Sequence, residues 1–544
     1  MLTVVGSDPG ATAARAALGD TGAEIATAIE TIERAELAVV VGPAGDEVFE
    51  RANGLALAGE TPWLAVELGG LGGLDVVDAA VAGFAPGRGC YDCLRMRVRA
   101  NHDADGMEVD ERRSTQGTTE QSDTTQHETD NRGDSSAGPT SPATARLAGA
   151  VAGHEAARHV TGGVDIFGRV IVVPYSERTL LPVPGCDCGP ASNRTVRREH
   201  TARSLDESLE RAERALDDLV GIVQEVGEAE SFPVPYYLAQ ICDTAGFSDA
   251  TAARNAAGVD PDWNGAFMKA LGEALERYCA GIYRTDSFER GTPDAVADAV
   301  DPATFVCKRE PRADSIHWVS GRDLASGDAV SLPAEFVHHP PPKRRYRPAV
   351  TTGLGFGNSG VEALLSGLYE VVERDAAMLA WYSTFEPLEL AVETDRVETM
   401  RSRARSEDLS VTLLLLTMDV DVPVVAAAVH REEWPRFALG TAANLDTEAA
   451  AESALAEALQ NWMELRGMGP ERAEEASGAI GTYADLPEPA AGFIEADATV
   501  AARDVADDPP EGEAELDAVV DRVTDAGLAA YAARTTTRDI EALG

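Results

Sequence analysis

Apolar positions in the first hundred residues switch between short continuous runs and helical spacing. Leu2–Val5 reads as a strand and Ala23–Arg34 as a helix, while Ala38–Val41 and Trp63–Val66 read as strands around a helix near Asp46–Leu57. Strand, helix and strand in this order predict an α/β N-terminal module on a parallel sheet, with residues 1–100 as its first part. From Asn101 to Thr144 apolar residues nearly vanish among Thr, Ser, Asp, Glu and Gln. Such a stretch cannot bury enough surface to offset chain entropy, so residues 101–144 are expected to be a disordered acidic insertion. Helical spacing resumes over Ala145–Val160, and Asp165–Pro174 predicts a strand hairpin turning at Gly168, so residues 145–193 complete the module. From about Arg194 long Ala- and Glu-rich helices alternate with apolar runs such as Val411–Leu416 and Val422–Val429. Residues 194–544 are therefore expected to form a larger α+β domain.

Charge changes this picture. The chain has 544 residues, 92 Asp and Glu against 46 Lys and Arg, and a net charge of −46. Lysine occurs only at Lys269, Lys308 and Lys343. With 44% apolar residues the chain can build cores, so the acid is surface charge on a folded protein, as in proteins kept soluble in concentrated salt. There the Debye length falls to about 3 Å at 1 M and self-repulsion is screened. No basic stripe exists to neutralise phosphates, which argues against a nucleic-acid partner. The N-terminus has no signal-peptide pattern and no run reaches the roughly 20 apolar residues of a membrane span, so no membrane partner and a cytoplasmic location are expected.

Four of the seven cysteines form two tight pairs, Cys90 with Cys93 in GRGCYDCLR and Cys186 with Cys188 in VPGCDCGP. Thiolates two or three residues apart on Gly- and Pro-rich turns can converge on one tetrahedral zinc, tying together the segments on either side of the insertion. A redox pair and free thiols remain the alternatives. Cys242, Cys279 and Cys307 sit in apolar surroundings and read as core filler.

Three helical segments of the larger domain carry repeated carboxylates. They are KALGEALERYCAGIYR with Glu273 and Glu276, GLGFGNSGVEALLSGLYEVVERDAA with Asn358, Glu362, Glu370 and Glu373, and AAAESALAEALQNWMELR with Glu457 and Gln460. At about 100° per residue, Asn358, Glu362, Glu370 and Glu373 share one side of their helix, opposite Leu364, Leu365, Leu368, Val371 and Val372. Spacing leaves two readings open: a solvated acidic face, or facing helices that gather carboxylates around magnesium and nucleotide phosphates. The uncharged, glycine-rich TTGLGFGNSG opening the second helix and Arg374 beside Glu373 favour phosphate. The loop GSDPGA after the first strand lacks the dinucleotide fingerprint, and the absence of GxxxxGK[ST] excludes a P-loop.

GEALERYC and NSGVEALLSGLYEVVERD resemble the two most distinctive motifs of the YcaO family, and EALQ resembles the third; the likeness covers about Arg194 to Gly544. The resemblance implies ATP bound with magnesium. Glu273, Glu276, Glu370 and Glu373 would serve the metal ions, and Asn358, Glu362 and Arg374 would contact nucleotide or metal, with Glu457 and Gln460 alongside. Ser208 in LDESLERA matches a weaker position that touches nucleotide. TPWLAVEL, GRGCYDCLRMR and the later cysteine pair resemble the ThiF-like module that accompanies YcaO domains in azole-forming cyclodehydratases, which implies a structural zinc and help in presenting a peptide.

The expected activity is ATP-dependent activation of backbone amides in a ribosomally made peptide, forming azolines from Cys, Ser or Thr. A thioamide-forming enzyme with a sulfur-delivering partner and a non-catalytic ATP- or peptide-binding scaffold are the alternatives. The family places an arginine where this chain has Trp462, with Arg466 one turn on as a possible substitute, and its cyclodehydratases continue past the TTTRDIEALG ending. Without such a substitute a phosphate contact would be lost, and the ending bears on turnover more than on ATP binding. The sequence contains no obvious leader-peptide-binding domain, so a separate protein is expected to recruit substrate, and homodimers are expected by likeness to relatives.

Overall fold

Continuous apolar runs along the central strands build the sheet of the N-terminal segment. Its elements are β1 (Leu2–Gly6), α1 (Gly10–Gly19), β2 (Ile25–Ala26), β3 (Leu37–Pro43), α2 (Glu47–Gly59), β4 (Trp63–Leu68), β5 (Ala79–Phe84), α3 (Tyr91–Ser114), α4 (Pro142–Val160), β6 (Arg169–Val172) and β7 (Ser176–Thr179). A computed structural model describes residues 1–19, 21–114, 140–163, 166–307, 314–475, 479–506 and 509–543. One seven-stranded sheet runs β2-β1-β3-β4-β5-β6-β7. The strands from β2 to β4 pair in parallel, and those from β4 to β7 pair antiparallel. In β3, Leu37, Val39 and Val41 pack with α1 and α4, whereas Ala38 and Val40 pack with α2 and the start of α3. Successive strand side chains point to opposite faces, so a continuous apolar run fills two cores at once. Helices α1 and α4 touch through backbone, since a Cβ on Gly149 would lie 2.1 Å from the Gly10 carbonyl oxygen.

Four expectations change here. The sheet is parallel only as far as β4. No α-helix forms over residues 23–34: Ile25–Ala26 pairs beside β1, and Ile29–Arg34 makes only a 3-10 helix that buries Ile32. The β-branched residues Ile25, Thr27, Ile29 and Thr31 disfavour the α-helix. Gly168 precedes β6 rather than turning the hairpin, which reverses between Val172 and Ser176. Of the insertion expected over 101–144, residues 101–114 continue α3 and Pro142–Thr144 open α4, while residues 115–139 lie outside the described residues.

The larger domain contains α5 (Leu205–Ala212), β8 (Val223–Glu230), β9 (Tyr236–Ile241), β10 (Asn255–Val259), α6 (Trp263–Gly281), β11 (Glu289–Gly291), β12 (Ile316–Asp323), β13 (Ala329–Pro333), α7 (Gly360–Trp381), β14 (Leu388–Ala391), α8 (Asp395–Arg405), β15 (Ser410–Leu415), β16 (Val424–His430), β17 (Phe437–Ala443), α9 (Thr447–Met468), β18 (Thr499–Ala501) and β19 (Tyr531–Ala532). A three-stranded sheet β10-β9-β8 packs on α6, and a five-stranded sheet β17-β16-β15-β14-β18 lies between helices. Along β16, Val425, Ala427 and Val429 face α8 and α9, and Val424, Ala426 and Ala428 face α7. A third sheet, β11-β12-β13, carries β19 beside β12.

Glycines set the depth at which two helices sit on their strands. A Cβ on Gly258 in β10 would lie 2.2 Å from the Ala270 nitrogen of α6, and one on Gly440 in β17 would lie 2.4 Å from Ala454 and Ala458 of α9. Only glycine permits this approach. Its consequence is a carboxylate on each helix within reach of strand backbone. Among the described residues no helix is long and apolar enough to cross a membrane.

Candidate nucleotide and metal sites

Helices α6, α7 and α9 turn their carboxylates toward one another. Glu273 accepts the Ala257 N–H at 2.7 Å, next to Gly258, and Glu457 accepts the Thr441 N–H at 2.7 Å, next to Gly440. The hydroxyl of Thr441 donates to Glu373 at 2.6 Å, and the Gly353 N–H donates to Glu370 at 3.0 Å. Arg277 pairs with Glu273 within α6.

Electrostatics identify Glu370 as the shared neighbour. Burial, then the charges of Glu370 and Glu273, push Glu276 up to about 8. Burial and the charge of Glu457 push Glu373 up to about 8, with Glu370 adding to the rise. Glu457 rises to about 7 through burial and the charges of Glu370 and Glu464, partly offset by a hydrogen bond from Thr441 and by Arg374. Glu370 itself is raised by burial, against the Gly353 hydrogen bond and Arg374. These side chains are half-buried and crowded by like charge, so the freely solvated reading of the acidic stripes does not hold. A divalent cation would relieve the crowding. Among the described residues no three of these carboxylates gather tightly; magnesium needs only one or two beside water and phosphate oxygens.

Two of the other expected residues lie at the opposite end of α7. Asn358 and Glu362 sit at its N-terminus, where Glu362 accepts the Asn358 N–H at 2.8 Å. From Glu362 to Glu373 the helix rises roughly 16 Å, so the two ends address different parts of an elongated ligand. Ser208 of α5 bonds the Ser204 carbonyl at 2.9 Å and, with Asn358, lines a cavity of about 1030 Å³. Arg374 is exposed beside the cluster. Gln460 donates to Glu464 at 3.0 Å, and Tyr236 donates to the same oxygen at 2.8 Å.

Glu464 and Thr441 were not anticipated, and Gly353, in the loop expected to favour phosphate, gives its N–H to Glu370. Glu464 was detectable, because seven residues after Glu457 it falls on the same helix face. Thr441 comes from a strand remote in sequence and carried no local signal. Trp462 is fully buried, donates to the Pro435 carbonyl at 3.2 Å and lies between the guanidinium groups of Arg431 and Arg466. Arg466 makes ion pairs with Glu230 at 2.6 Å and Glu407 at 3.4 Å.

The two cysteine pairs do converge. Cys90 lies 3.9 Å from Cys93 and 3.6 Å from Cys186, Cys93 lies 3.5 Å from Cys188, and all four sulfurs fall within 4.8 Å of one another. Tetrahedral zinc with Zn–S bonds near 2.3 Å needs sulfurs about 3.8 Å apart, so the donor set fits that ion. Hydrogen bonds from Cys186, Cys90 and Cys93, joined by one from Arg538, hold Cys188 well below the usual thiol range. Arg538 donates to Cys188 at 3.1 Å and to the Cys186 carbonyl at 3.0 Å. Cys242 and Cys279 are buried in the core as expected, and Cys307 is half-buried.

A mixed α/β fold with a half-buried carboxylate cluster on three helices and a four-cysteine cluster defines the class. Its fold is that of heterocyclases: one solved in complex with substrate and cofactor aligns over 99% of this chain and 79% of its own, with TM-score 0.72 and 20% identity. The heterocyclase TruD aligns over 99% and 77%, with TM-score 0.64 and 19% identity. Residues 257–543 match the family described as YcaO cyclodehydratase, ATP- and Mg2+-binding. The chain belongs to the YcaO family. An uncharacterised protein of Methanothermobacter thermautotrophicus is 27% identical over 208 residues, 36% of this chain; the match spans about half of that relative, 54%.

Proposed function

We propose that this chain uses ATP to activate backbone amides of a ribosomally made peptide and closes Cys, Ser or Thr side chains into azolines. The observation that carries the reading is the crowding of Glu276, Glu373 and Glu457 around Glu370. Such a cluster is poorly balanced without cations and suited to holding them against a triphosphate. Magnesium held there supplies neutralisation of charge on the phosphates. Glu273, Glu276, Glu370, Glu373 and Glu457 hold the ions, with Gln460 alongside, while Ser208, Asn358 and Glu362 bind the remainder of the nucleotide and Arg374 contacts phosphate.

The substrate's thiol or hydroxyl adds to the preceding carbonyl carbon, and its proton is lost. The resulting oxyanion attacks the γ-phosphorus of ATP and displaces ADP. The amide nitrogen then pushes phosphate off the carbon, loses its proton and leaves a C=N bond, so the amide oxygen departs in phosphate. The chain's task is positioning and electrostatic stabilisation. The front module, ThiF-like in this reading, holds zinc structurally through Cys90, Cys93, Cys186 and Cys188 and helps present the peptide. The acidic, lysine-poor composition supports work in a salt-rich cytoplasm, a homodimeric state is expected by likeness to relatives, and a separate leader-binding protein is the expected recruiter.

Trp462 favours a second reading, a scaffold that binds nucleotide or peptide without turnover, because Arg466 is already paired elsewhere. Calorimetry of magnesium–ATP binding in molar potassium chloride, wild type against Glu370→Gln, tests the site. Binding that is lost in the variant supports it, and no binding by folded wild type rejects it. Peptide-dependent phosphate release then separates enzyme from scaffold.

A further inference from the structure

Glu464 has no task in the nucleotide reading, although it lies on the face of α9 that carries Glu457. One helical turn back, Gln460 donates through its side-chain Nε2 to Oε1 of Glu464 at 3.0 Å. The hydroxyl of Tyr236, in β9, donates to the same oxygen at 2.8 Å, so a strand of one sheet and a helix of the other layer meet on one carboxylate. Burial, then the charges of Glu464 and Glu273, hold the Tyr236 phenol well above its usual range. Tyr236 therefore stays a donor, and it stands at the edge of the carboxylate cluster.

An amide side chain has two unlike ends, and its neighbour decides which way it turns. A carboxylate oxygen accepts and does not donate, so Glu464 takes the Nε2 end of Gln460 and leaves Oε1 on the other side. Among the described residues that oxygen accepts no hydrogen bond. Gln460 is three residues after Glu457, about 60° round the helix, so the two share a face. Orientation matters at this place. An amide oxygen is a hard ligand for a divalent cation, whereas the N–H₂ end would oppose one. Being neutral, that oxygen also adds nothing to the repulsion that already raises Glu276, Glu373 and Glu457.

We infer that Glu464 and Tyr236 are positioning residues for magnesium: they fix the Gln460 amide with its oxygen toward the carboxylate cluster, where it serves the cation and not a phosphate. The inference rests on the magnesium–ATP reading above and adds two residues to it. It also assigns one end of Gln460 to one ligand.

The test is a cycle of variants of the full chain, read by calorimetry in molar potassium chloride. One titration gives the free magnesium needed for half-saturation when ATP is saturating, and the other gives ATP affinity when magnesium is saturating. Glu464→Leu should raise the magnesium requirement about 10-fold, as expected for losing the partner that orients a ligand, and move ATP affinity by no more than about threefold. In a Gln460→Glu background the same change should shift the requirement upward by no more than about twofold, because a carboxylate offers oxygen whichever way it turns. Loss of negative charge at position 464 would weaken magnesium in both backgrounds alike, so the cycle separates orientation from charge. Tyr236→Phe should cost about threefold with Gln460 present and nothing with Gln460→Glu. Thermal midpoints check folding, and Tyr236→Phe, which removes one oxygen, carries the same comparison if Glu464→Leu misfolds. The inference is overturned if Glu464→Leu leaves the magnesium requirement within about twofold of wild type, or raises it equally in both backgrounds. It is also overturned if ATP affinity at saturating magnesium falls as far as magnesium affinity does, since Gln460 would then serve phosphate. These results leave magnesium–ATP binding by wild type intact. Folded wild type that binds no magnesium–ATP removes the nucleotide reading itself, and the inference with it.

Discussion

Thr441 serves Glu457 with its backbone N–H at 2.7 Å while its hydroxyl serves Glu373 at 2.6 Å, so one strand residue positions carboxylates from two helices. Thr441→Val keeps the first bond and removes the second. A hydrogen bond to a charged group is worth about 1.5–3 kcal/mol, so magnesium–ATP affinity is expected to fall about 10-fold or more. The thermal midpoint should move little, because valine fills the same space. Calorimetry beside a thermal scan separates the effects, and unchanged affinity would show that Glu373 needs no positioning.

Glu370 is expected to trade stability for function. Its charge raises Glu276, Glu373 and Glu457 together. Glu370→Gln removes the shared repulsion while preserving shape. At pH 8 without metal, the variant should melt about 1–3 °C higher than wild type. The same variant should lose magnesium–ATP binding. A lower midpoint would mean that Glu370 is a structural anchor for the Gly353 loop.

These carboxylates also fix the direction of a pH effect. Glu276 and Glu373 at about 8 and Glu457 at about 7 lie above the 4.5 of a free glutamate, so between those values the folded, metal-free chain holds more protons than the unfolded one. Stability from these groups is therefore fully present below pH 4.5 and is lost as pH rises through 7 to 8. Magnesium binding should release protons and tighten across the same window. Calorimetry in buffers of differing ionisation enthalpy reads the release directly; a proton count of zero at pH 7 would contradict the crowding.

Much of this site was legible in the sequence, and the part that was not has an identifiable cause. Helical spacing put Asn358, Glu362, Glu370 and Glu373 on one face and Glu273 with Glu276 on another, and the resemblance to the YcaO family singled these and Glu457 out. Spacing could not decide whether that acidic face meets solvent or other helices. The decision rests on Gly258 and Gly440, which let α6 and α9 sit close on their strands, and a single glycine in a strand carries little signal. The Gly- and Pro-rich turns made convergence of Cys90 and Cys93 with Cys186 and Cys188 one of the open readings, and the fold brings the four sulfurs together. The 23–34 segment was misread because its apolar spacing fits a helix while its β-branched residues do not.

The four-cysteine cluster predicts about one zinc per chain. Chelator with a colorimetric indicator should release it, and Cys186→Ser should load none or bind far more weakly, with loss of stability in both modules because Cys90 and Cys93 share a core with α6. Arg538→Ala removes the cation that donates to Cys188, so zinc should leave faster to the same chelator. Equal release rates would show that Arg538 serves the Cys186 carbonyl alone.

The segment that carries Arg538 also carries Asp539, which touches both the front module and α6. Asp539 is fully buried and pairs with Arg97 of α3, itself fully buried, while accepting the Tyr278 hydroxyl of α6 at 2.7 Å. The Arg97 guanidinium also lies over the rings of Phe247 at 5.5 Å and Tyr278 at 5.7 Å. Asp539→Asn would leave a cation buried without its counter-ion, a change that costs about 3–5 kcal/mol. Replacing both partners, Arg97→Met with Asp539→Leu, leaves no charge stranded and should recover most of that loss. Tyr278→Phe removes one hydrogen bond and should cost about 1–2 kcal/mol. Because the pair joins the front module to the helix that bears Glu273 and Glu276, Asp539→Asn should also uncouple the two. A single thermal transition should split, with the zinc-bearing part melting apart from the nucleotide-bearing part. Calorimetric scans of the single and double variants decide the matter: a double variant no more stable than Asp539→Asn would mean that the ion pair, and not the avoidance of a stranded charge, holds the modules together.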